Sequence, residues 1–209
     1  MPRVPMPFDS SSVLLERHRS GDPTAFVALV EGHQGELLRL ARGLLGRGSA
    51  FEDVVQEAFM RLAQTPPVIP EAALGDVDVE RAHLSSWLHK VTRNLCMDVI
   101  RSETRRKRRE RSVAQPDRHT GGILEVEAGD TRQAVERSLG RLPEDQREVL
   151  VLRLLAEKSY REISEITGKK VGTVGWLVSV GLKALSVELG PLLGGEPDLG
   201  LGLAQGELS

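Results

Sequence analysis

The sequence contains few of the residues from which sheets and disulfide frameworks are built. Aromatic residues make up 3% of its 209 residues, and Cys96 is the single cysteine. Strands are enriched in aromatic and β-branched residues, so this composition favours helical bundles packed with Leu, Val and Ala. A single cysteine cannot form an internal disulfide, and we interpret Cys96 as a small buried side chain.

Long apolar runs and patterns typical of catalytic or metal sites are also missing. The N-terminus has no apolar signal segment, and no run of about 18 uncharged apolar residues occurs. The five histidines lack Cys or His partners at metal-ligand spacing, and there is neither a Gly-rich phosphate loop nor a nucleophile elbow. The sequence therefore predicts a cytoplasmic protein without membrane insertion, without cofactors or metals, and without enzymatic activity.

What the sequence does contain is a concentrated block of positive charge. The whole chain has a net charge of -2, whereas residues 101–111 contain seven Arg or Lys against two Glu. A rotation of about 100° per residue predicts one helix from Leu84 onward with two distinct faces. The apolar face comprises Leu84, Leu88, Val91, Leu95 and Val99, and the outer face comprises Lys90, Asn94, Met97, Arg101, Arg105 and Arg108. Such an outer face suits a polyanion, and the alternative is a charged face that is simply solvated.

Composition and turn signals divide the chain into two small helical domains. The predicted parts are a flexible arm (1–19), a first domain (20–111), a linker (112–130), a second domain (131–189) and a Gly-rich, disordered tail (190–209).

Capping signals place the helices of the first domain. Asp22 and Pro23 are typical of a helix start, and Ser49 begins a capping-box pattern before the next helix. The loop from Thr65 to His83 is long, which raises the prospect of function there. Ser85 or Ser86 is the expected cap of the helix that carries the cations.

In the second domain the pattern predicts a helix-turn-helix. Ser159 and Glu162 have capping-box spacing, Gly168 ends that helix, and a new helix begins after Lys170. The preceding helix follows Pro143, and its predicted buried face consists of Val149, Leu150, Leu152, Leu154 and Leu155.

Several short motifs, in order along the chain, resemble one protein family. Residues 52–59 read EDVVQEAF, residues 87–101 follow the pattern WL…RN…D…R, and residues 142–174 follow LP…R…VL…Y-x-EI…G…GTV. Together they resemble bacterial sigma factors of the sigma-70 family, of the extracytoplasmic-function type that has only regions 2 and 4. The resemblance implies an all-α, non-catalytic protein of two domains that binds core RNA polymerase and directs it to promoter DNA.

The resemblance also implies which residues meet each partner. The polymerase-binding residues would be Asp53, Gln56, Glu57 and Met60. The residues for the minus-ten element would be Trp87, Lys90, Arg93, Asn94, Arg101 and Arg105. The cations suit phosphates and Asn94 suits a base edge, whereas Trp87 either stacks on a base or packs in the bundle. An anti-sigma factor is a further partner that the resemblance allows.

The last helix departs from the family pattern, which usually continues with basic residues after GTV. Residues 175–183 read GWLVSVGLK, and helical rotation places Val174, Val178, Gly181 and Leu185 inward and Thr173, Trp176, Leu177 and Val180 outward. The candidate DNA contacts there are Lys169, Lys170, Thr173, Trp176 and Lys183. Three explanations stay open: these lysines bind DNA with apolar contacts to thymine methyls, the face binds protein, or the helix register is rotated.

Two other functions compete with a sigma factor. One is a helix-turn-helix regulator that binds duplex DNA without polymerase, against which residues 53–59 argue. The other is a sigma-like adaptor whose second domain docks a protein partner through Trp176.

Overall fold

Helices form all the regular secondary structure in the described part of the chain, as the composition predicts. The computed structural model describes residues 9–46, 50–113 and 131–193. Its helices are α1 (Ser11–Arg19), α2 (Pro23–Leu45), α3 (Ala50–Gln64), α4 (Val77–Val113), α5 (Thr131–Arg141), α6 (Glu144–Leu154), α7 (Tyr160–Thr167) and α8 (Val171–Leu193). A short 3-10 turn, Glu71–Ala73, lies between α3 and α4.

Helices α1 to α4 form the first domain around a leucine-rich core. Helix α2 begins where the sequence predicts: the Asp22 carboxylate accepts the N–H of Thr24 at 2.9 Å, and Pro23 occupies the first turn. One face of α2 is fully buried against the other three helices through Leu29, Leu37, Leu40 and Leu44. Residues 11–19, assigned above to a flexible arm, instead form α1, because Leu15 gains a place in this core.

Helix α4 begins earlier than the sequence analysis predicts, and the prediction that Ser85 or Ser86 caps it is wrong. The cap is Asp76, whose carboxylate accepts the N–H groups of Asp78 and Val79 at 3.1 Å each. Ser85 lies buried inside the helix. The early start shortens the preceding loop, and at its other end α4 continues to Val113, into the predicted linker. The remaining linker (114–130), the predicted cap Ser49 and residues 194–209 of the tail lie outside the described residues.

The buried face of α4 is rotated relative to the predicted stripe, because Leu84 and Leu88 are buried whereas Val91, Leu95 and Val99 are only half-buried. Met97, predicted to face outward, is 2% exposed. His89, Thr92 and Cys96 are fully buried, because α7 of the second domain packs on this side of α4. The interpretation of Cys96 as a buried side chain is confirmed, and burial raises the pKa of its thiol to about 12.

Helices α5 to α8 form the second domain, with α8 packed against the other three. The predicted capping box of α7 is present, with Ser159 and Glu162 each bonded to the other's backbone N–H, and Gly168 ends the helix at φ +75°. Leu154, predicted to be buried, is 48% exposed, and Val151 is buried instead because it faces the first domain. Part of α8, Val171–Gly190, has the length and composition of a membrane span, and 28% of this stretch is buried in the structure.

The two domains contact each other through α2 and α4 on one side and α5, α6 and α7 on the other. Arg39 Nε donates to the carbonyl of Leu155 at 3.3 Å. Gly43 lies where a Cβ atom would come within 2.7 Å of Val151 Cγ1 and 2.9 Å of Leu155 Cδ1. The absence of a side chain at this position therefore allows α2 and α6 to approach closely.

Candidate nucleic-acid and polymerase interfaces

Helix α4 carries an exposed cationic face in line with the predicted one. We call Lys90, Asn94, Arg101 and Arg105, all exposed, the α4 outer face. Arg101 Nη1 lies 3.3 Å from Asp98 Oδ1, and both side chains are more than half exposed. Exposed ion pairs contribute little free energy, so Arg101 can exchange Asp98 for a phosphate at small cost. This face therefore has the charge and exposure that a nucleic-acid backbone requires.

Arg93 is placed differently from the rest of the predicted minus-ten residues. Its Nε atom lies 2.5 Å from Glu148 Oε1 of the second domain, and its Nη1 atom donates to Asn94 Oδ1 at 3.1 Å. The Glu148 side chain is 2% exposed and that of Arg93 is 18% exposed. The structure thus brings Arg93 into the contact between the domains rather than onto the open surface.

Trp87 is half-buried and packs against the hydrophobic core. This placement is what the packing alternative expects. Part of the Trp87 ring therefore stays accessible at the surface of α4.

Helix α3 presents the predicted polymerase-binding residues on its outer side. We call Asp53, Gln56, Glu57 and Met60 the α3 outer stripe. Asp53 and Gln56 are exposed, and Met60 is 48% exposed. Glu57 Oε1 accepts from Arg61 Nε at 3.0 Å, one turn further along the helix. Inward side chains of the same helix, such as Val55 and Leu62, are buried, so the stripe lies on the exposed side of α3.

In the helix-turn-helix, Lys169 is neutralised by carboxylates of α6. Its Nζ atom lies 2.8 Å from Asp145 Oδ1 and 3.3 Å from Glu148 Oε2. Burial lowers the pKa of Lys169, but the two carboxylates outweigh this effect and raise it above its ordinary value. Glu148 therefore contacts two candidate DNA-binding cations, one in each domain.

The outward face of α8 is narrower than predicted. Lys170, Thr173 and Lys183 are exposed, and Trp176 is 62% exposed. The inward positions Val174, Val178, Gly181 and Leu185 are buried as predicted. Leu177, expected to face outward, is 6% exposed, and this prediction is wrong because the neighbouring helices extend around that side of α8.

A buried polar cluster between the domains was missed by the sequence analysis. Glu36 accepts from Ser85 Oγ at 3.0 Å and lies 2.7 Å from His33 Nδ1, while Lys158 Nζ of the second domain donates to Ser85 Oγ at 2.9 Å. His89 is fully buried beside Ser85 and has its Nε2 atom without a hydrogen-bond partner. A signal existed in the sequence, since Ser85 and His89 lie one turn apart and follow directly after Leu84 and Leu88 of the predicted apolar face.

Burial and charge shift the pKa values of this cluster. Burial, followed by the positive charge of Lys158, lowers the pKa of His89 to about 4. For Glu36, burial raises the pKa, but the hydrogen bond from His33 and the charges of His89, His33 and Lys158 outweigh this effect and lower the pKa to about 2.

Among the described residues, no group of three or more His, Cys, Asp or Glu side chains could hold a metal ion.

Comparison with known families assigns both domains. Residues 29–106 match the family model of Sigma-70 region 2, and residues 132–185 match that of Sigma-70, region 4.

Similar curated proteins carry related names. The chain is 28% identical over 185 residues to ECF RNA polymerase sigma factor SigW of Bacillus subtilis, covering 84% of this chain and 94% of the relative. It is 28% identical over 194 residues to the ECF RNA polymerase sigma-E factor of Escherichia coli, and the alignment covers 88% of this chain and 96% of the relative. It is also 31% identical over 159 residues to a probable ECF RNA polymerase sigma factor, SigI, of Mycobacterium tuberculosis, and the alignment covers 73% of this chain and 50% of the relative.

Two solved structures share the fold. The sigma factor RpoE, in complex with the anti-sigma factor NepR from Bartonella quintana, aligns with a TM-score of 0.56 at 24% identity, covering 73% of this chain and 89% of that chain. CnrH, in complex with the cytosolic domain of CnrY, aligns with a TM-score of 0.56 at 24% identity, and the alignment covers 88% of this chain and 99% of CnrH. With both regions matched in order, the chain belongs to the sigma-70 family of sigma factors, in its extracytoplasmic-function group.

Proposed function

We propose that this sigma factor binds core RNA polymerase through the α3 outer stripe and holds the minus-ten element of promoter DNA on the α4 outer face. The observation that carries the proposal is the exposed cationic face of α4 within the segment that matches Sigma-70 region 2. A protein with a net charge of -2 that concentrates cations on one helix has an oriented surface for a nucleic-acid backbone.

Lys90, Arg101 and Arg105 would contact phosphates, because exposed cations on one helix face can follow a single strand. Asn94 is exposed beside them and offers an amide to a base edge. Arg93 would join these residues only when its contact with Glu148 opens.

The second domain would contact upstream duplex DNA through a surface that has few charged residues. Lys170 and Lys183 are the exposed cations among its proposed contacts, and Thr173 and Trp176 offer apolar surface to thymine methyls. This composition supports weaker duplex binding than a basic recognition helix would have, because phosphate contacts contribute most of the affinity.

The exposed Trp176 supports a second role for the same face. A side chain of this size at 62% exposure is typical of a site that binds protein. An anti-sigma factor is a partner of the right class, since the structural relative RpoE was solved in complex with the anti-sigma factor NepR.

Reconstitution with core RNA polymerase tests the proposed function. The purified full chain is mixed with core polymerase and genomic DNA fragments, and the 5′ ends of the transcripts are mapped. The proposal expects co-elution with core and a set of defined start sites that core alone does not produce. Failure to associate with core would contradict it, and binding to duplex DNA without core would favour a helix-turn-helix regulator instead.

A further inference from the structure

We infer that two copies of this chain associate through the exposed side of α8, which pairs with α8 of a second copy in antiparallel orientation. The surface that pairs, the α8 seam, consists of Thr173, Trp176, Val180, Lys183 and Val187. This inference goes beyond the proposed function and does not rest on the role of α4. It assigns a second copy to a face that also carries candidate DNA contacts, so pairing and duplex binding by this face exclude each other.

Helix α8 is more apolar than its own domain can cover. Val171–Gly190 has the length and composition of a membrane span, yet 28% of this stretch is buried. Helices α5, α6 and α7 pack against α8. Away from them, Trp176 is 62% exposed and Val187 is 68% exposed. A charged side chain is costly in a lipid bilayer, so Lys183, which lies between these two residues, favours a protein as the partner of this surface.

The spacing of the α8 seam is that of a helix that packs against another helix. Its five members follow one another at intervals of three, four, three and four residues, which are the a and d positions of two heptads. The seam spans about 21 Å, or four turns. Thr173 and Lys183 are exposed, and Val180 is half-buried. Beside the seam, Gly172 and Ser179 are small and exposed, so a second helix can approach closely.

A two-fold axis beside Val180 makes the seam complementary to itself. In an antiparallel pair centred on Val180, residues equally far before and after this position lie opposite each other. Trp176 then meets Ala184 of the second copy, four positions on either side, so the largest side chain of the seam meets a small one. Lys183 lies next to the same Trp176 ring, whose face attracts an ammonium group.

The parallel alternative is less complementary. In register, it would place Trp176 beside Trp176 and Lys183 beside Lys183, so that bulky groups and like charges meet. The charges at the two ends of α8 also favour the antiparallel pair. Lys169 and Lys170 precede α8 and Glu188 lies near its C-terminal end, the reverse of what the helix dipole favours. An antiparallel partner places the acidic end of each helix beside the basic end of the other.

Sedimentation equilibrium of the full chain measures the association. The wild type should change from one chain toward two between about 1 µM and about 200 µM protein, because a single helix seam forms an interface of the small, transient class. Trp176→Ala and Val187→Glu each alter one exposed seam residue and should weaken the dimer about 10-fold or more. Leu74→Ala truncates an exposed apolar side chain of the first domain and is the matched control, which should associate like the wild type.

Cysteine substitutions determine the orientation of the two helices. In the antiparallel pair the two copies of residue 180 face each other, so Val180→Cys should form a disulfide-linked dimer under mild oxidation. Two copies of residue 187 would lie about 21 Å apart, so Val187→Cys alone should not become linked, whereas its mixture with Thr173→Cys should. The wild type, whose Cys96 is buried, and Glu165→Cys, at an exposed position of α7, are the controls and should remain unlinked.

A wild type that remains a single chain at the highest concentration would overturn the inference and leave this face to DNA or to a different protein. A dimer that withstands both Trp176→Ala and Val187→Glu would also overturn it, because another surface would then form the dimer. Linkage of Val187→Cys to itself, without linkage of Val180→Cys, would contradict the antiparallel orientation. Neither measurement contains polymerase or DNA, so the result is separate from a failure of the proposed function, which is read from association with core polymerase.

Discussion

At the residue scale, two groups of titratable side chains lie at the contact between the domains. Glu36, His89 and Lys158 form one group, and Arg93, Glu148 and Lys169 form another. A buried charge is costly unless it is paired. Removing one partner of a buried pair therefore destabilises the protein more than removing one partner of an exposed pair. These two groups therefore make the stability of the molecule sensitive to single substitutions and to pH.

Acid is expected to destabilise the protein through His89 and Glu36. The folded state lowers the pKa of His89 from 6.5 to about 4, so its contribution is complete above pH 6.5 and is lost as the pH falls through about 4. The folded state lowers the pKa of Glu36 from 4.5 to about 2, so its contribution is complete above pH 4.5 and is lost as the pH falls through about 2.

Urea unfolding between pH 7.5 and 4.5 measures the His89 contribution. The free energy of unfolding of the wild type should fall by up to about 3 kcal/mol over this range. His89→Gln should be less stable at pH 7.5 but show a flatter dependence on pH. His83→Gln, on the same helix, is the control and should keep the wild-type slope. An equal slope in His89→Gln would show that another group causes the acid sensitivity.

At the element scale, local capping signals are the part of the structure that the sequence predicts best. The starts of α2 and α7 depend on Asp22, Pro23, Ser159 and Glu162, and each contact lies within three residues. The start of α4 was mispredicted because Ser85 and Ser86 imitate a cap, whereas Asp76 provides the actual one. The start of a helix can therefore be predicted from the sequence where one candidate cap is present, and it is ambiguous where several candidates compete.

Helix faces were harder to predict, because packing from a second domain decides them. Met97 and Leu177 were expected outward and are buried, and Leu154 was expected inward and is exposed. Helical rotation gives the relative angles of side chains correctly, but it does not say how many neighbouring helices surround them. The same limit applies to the contacts of Gly43 and Glu148 between the domains. Gly43 packs against residues more than a hundred positions further along the chain, and Glu148 pairs with Arg93, which is 55 positions earlier.

Removing the cap of α7 should weaken the second domain. Ser159→Ala leaves the N–H of Glu162 without its side-chain acceptor, and the expected loss is about 1 kcal/mol of unfolding free energy. Circular dichroism during urea unfolding measures it, and Ser179→Ala, at an exposed position of α8, should change stability far less. Equal stability of Ser159→Ala and the wild type would contradict the assigned cap.

The orientation of α8 can be tested by truncating two adjacent side chains. Leu177→Ala removes a buried side chain and should cost about 2 to 4 kcal/mol, whereas Trp176→Ala removes an exposed one and should cost less than about 1 kcal/mol. Urea unfolding of both variants decides the register. The reverse order of costs would mean that α8 is rotated relative to the structure described here.

At the scale of the whole molecule, the fold separates two surfaces of different character. The α3 outer stripe contains two acidic residues and a methionine, and the α4 outer face contains three cations and an amide. Family resemblance and helical periodicity were enough to place both surfaces on their helices. The contact that joins the domains could not be predicted, since it depends on complementary shape and charge between segments separated by the linker.

The most direct test of the account is transcription with core polymerase by variants of the proposed DNA contacts. Arg101→Ala should reduce promoter-specific transcripts about ten-fold or more, because it removes a proposed phosphate contact on the α4 outer face. Lys170→Ala should reduce them less, and Arg141→Ala, an exposed arginine of α5, should leave them unchanged. Transcripts that survive Arg101→Ala at the wild-type level but disappear in Lys170→Ala would contradict the account, because they would place promoter binding on the helix-turn-helix instead of on α4.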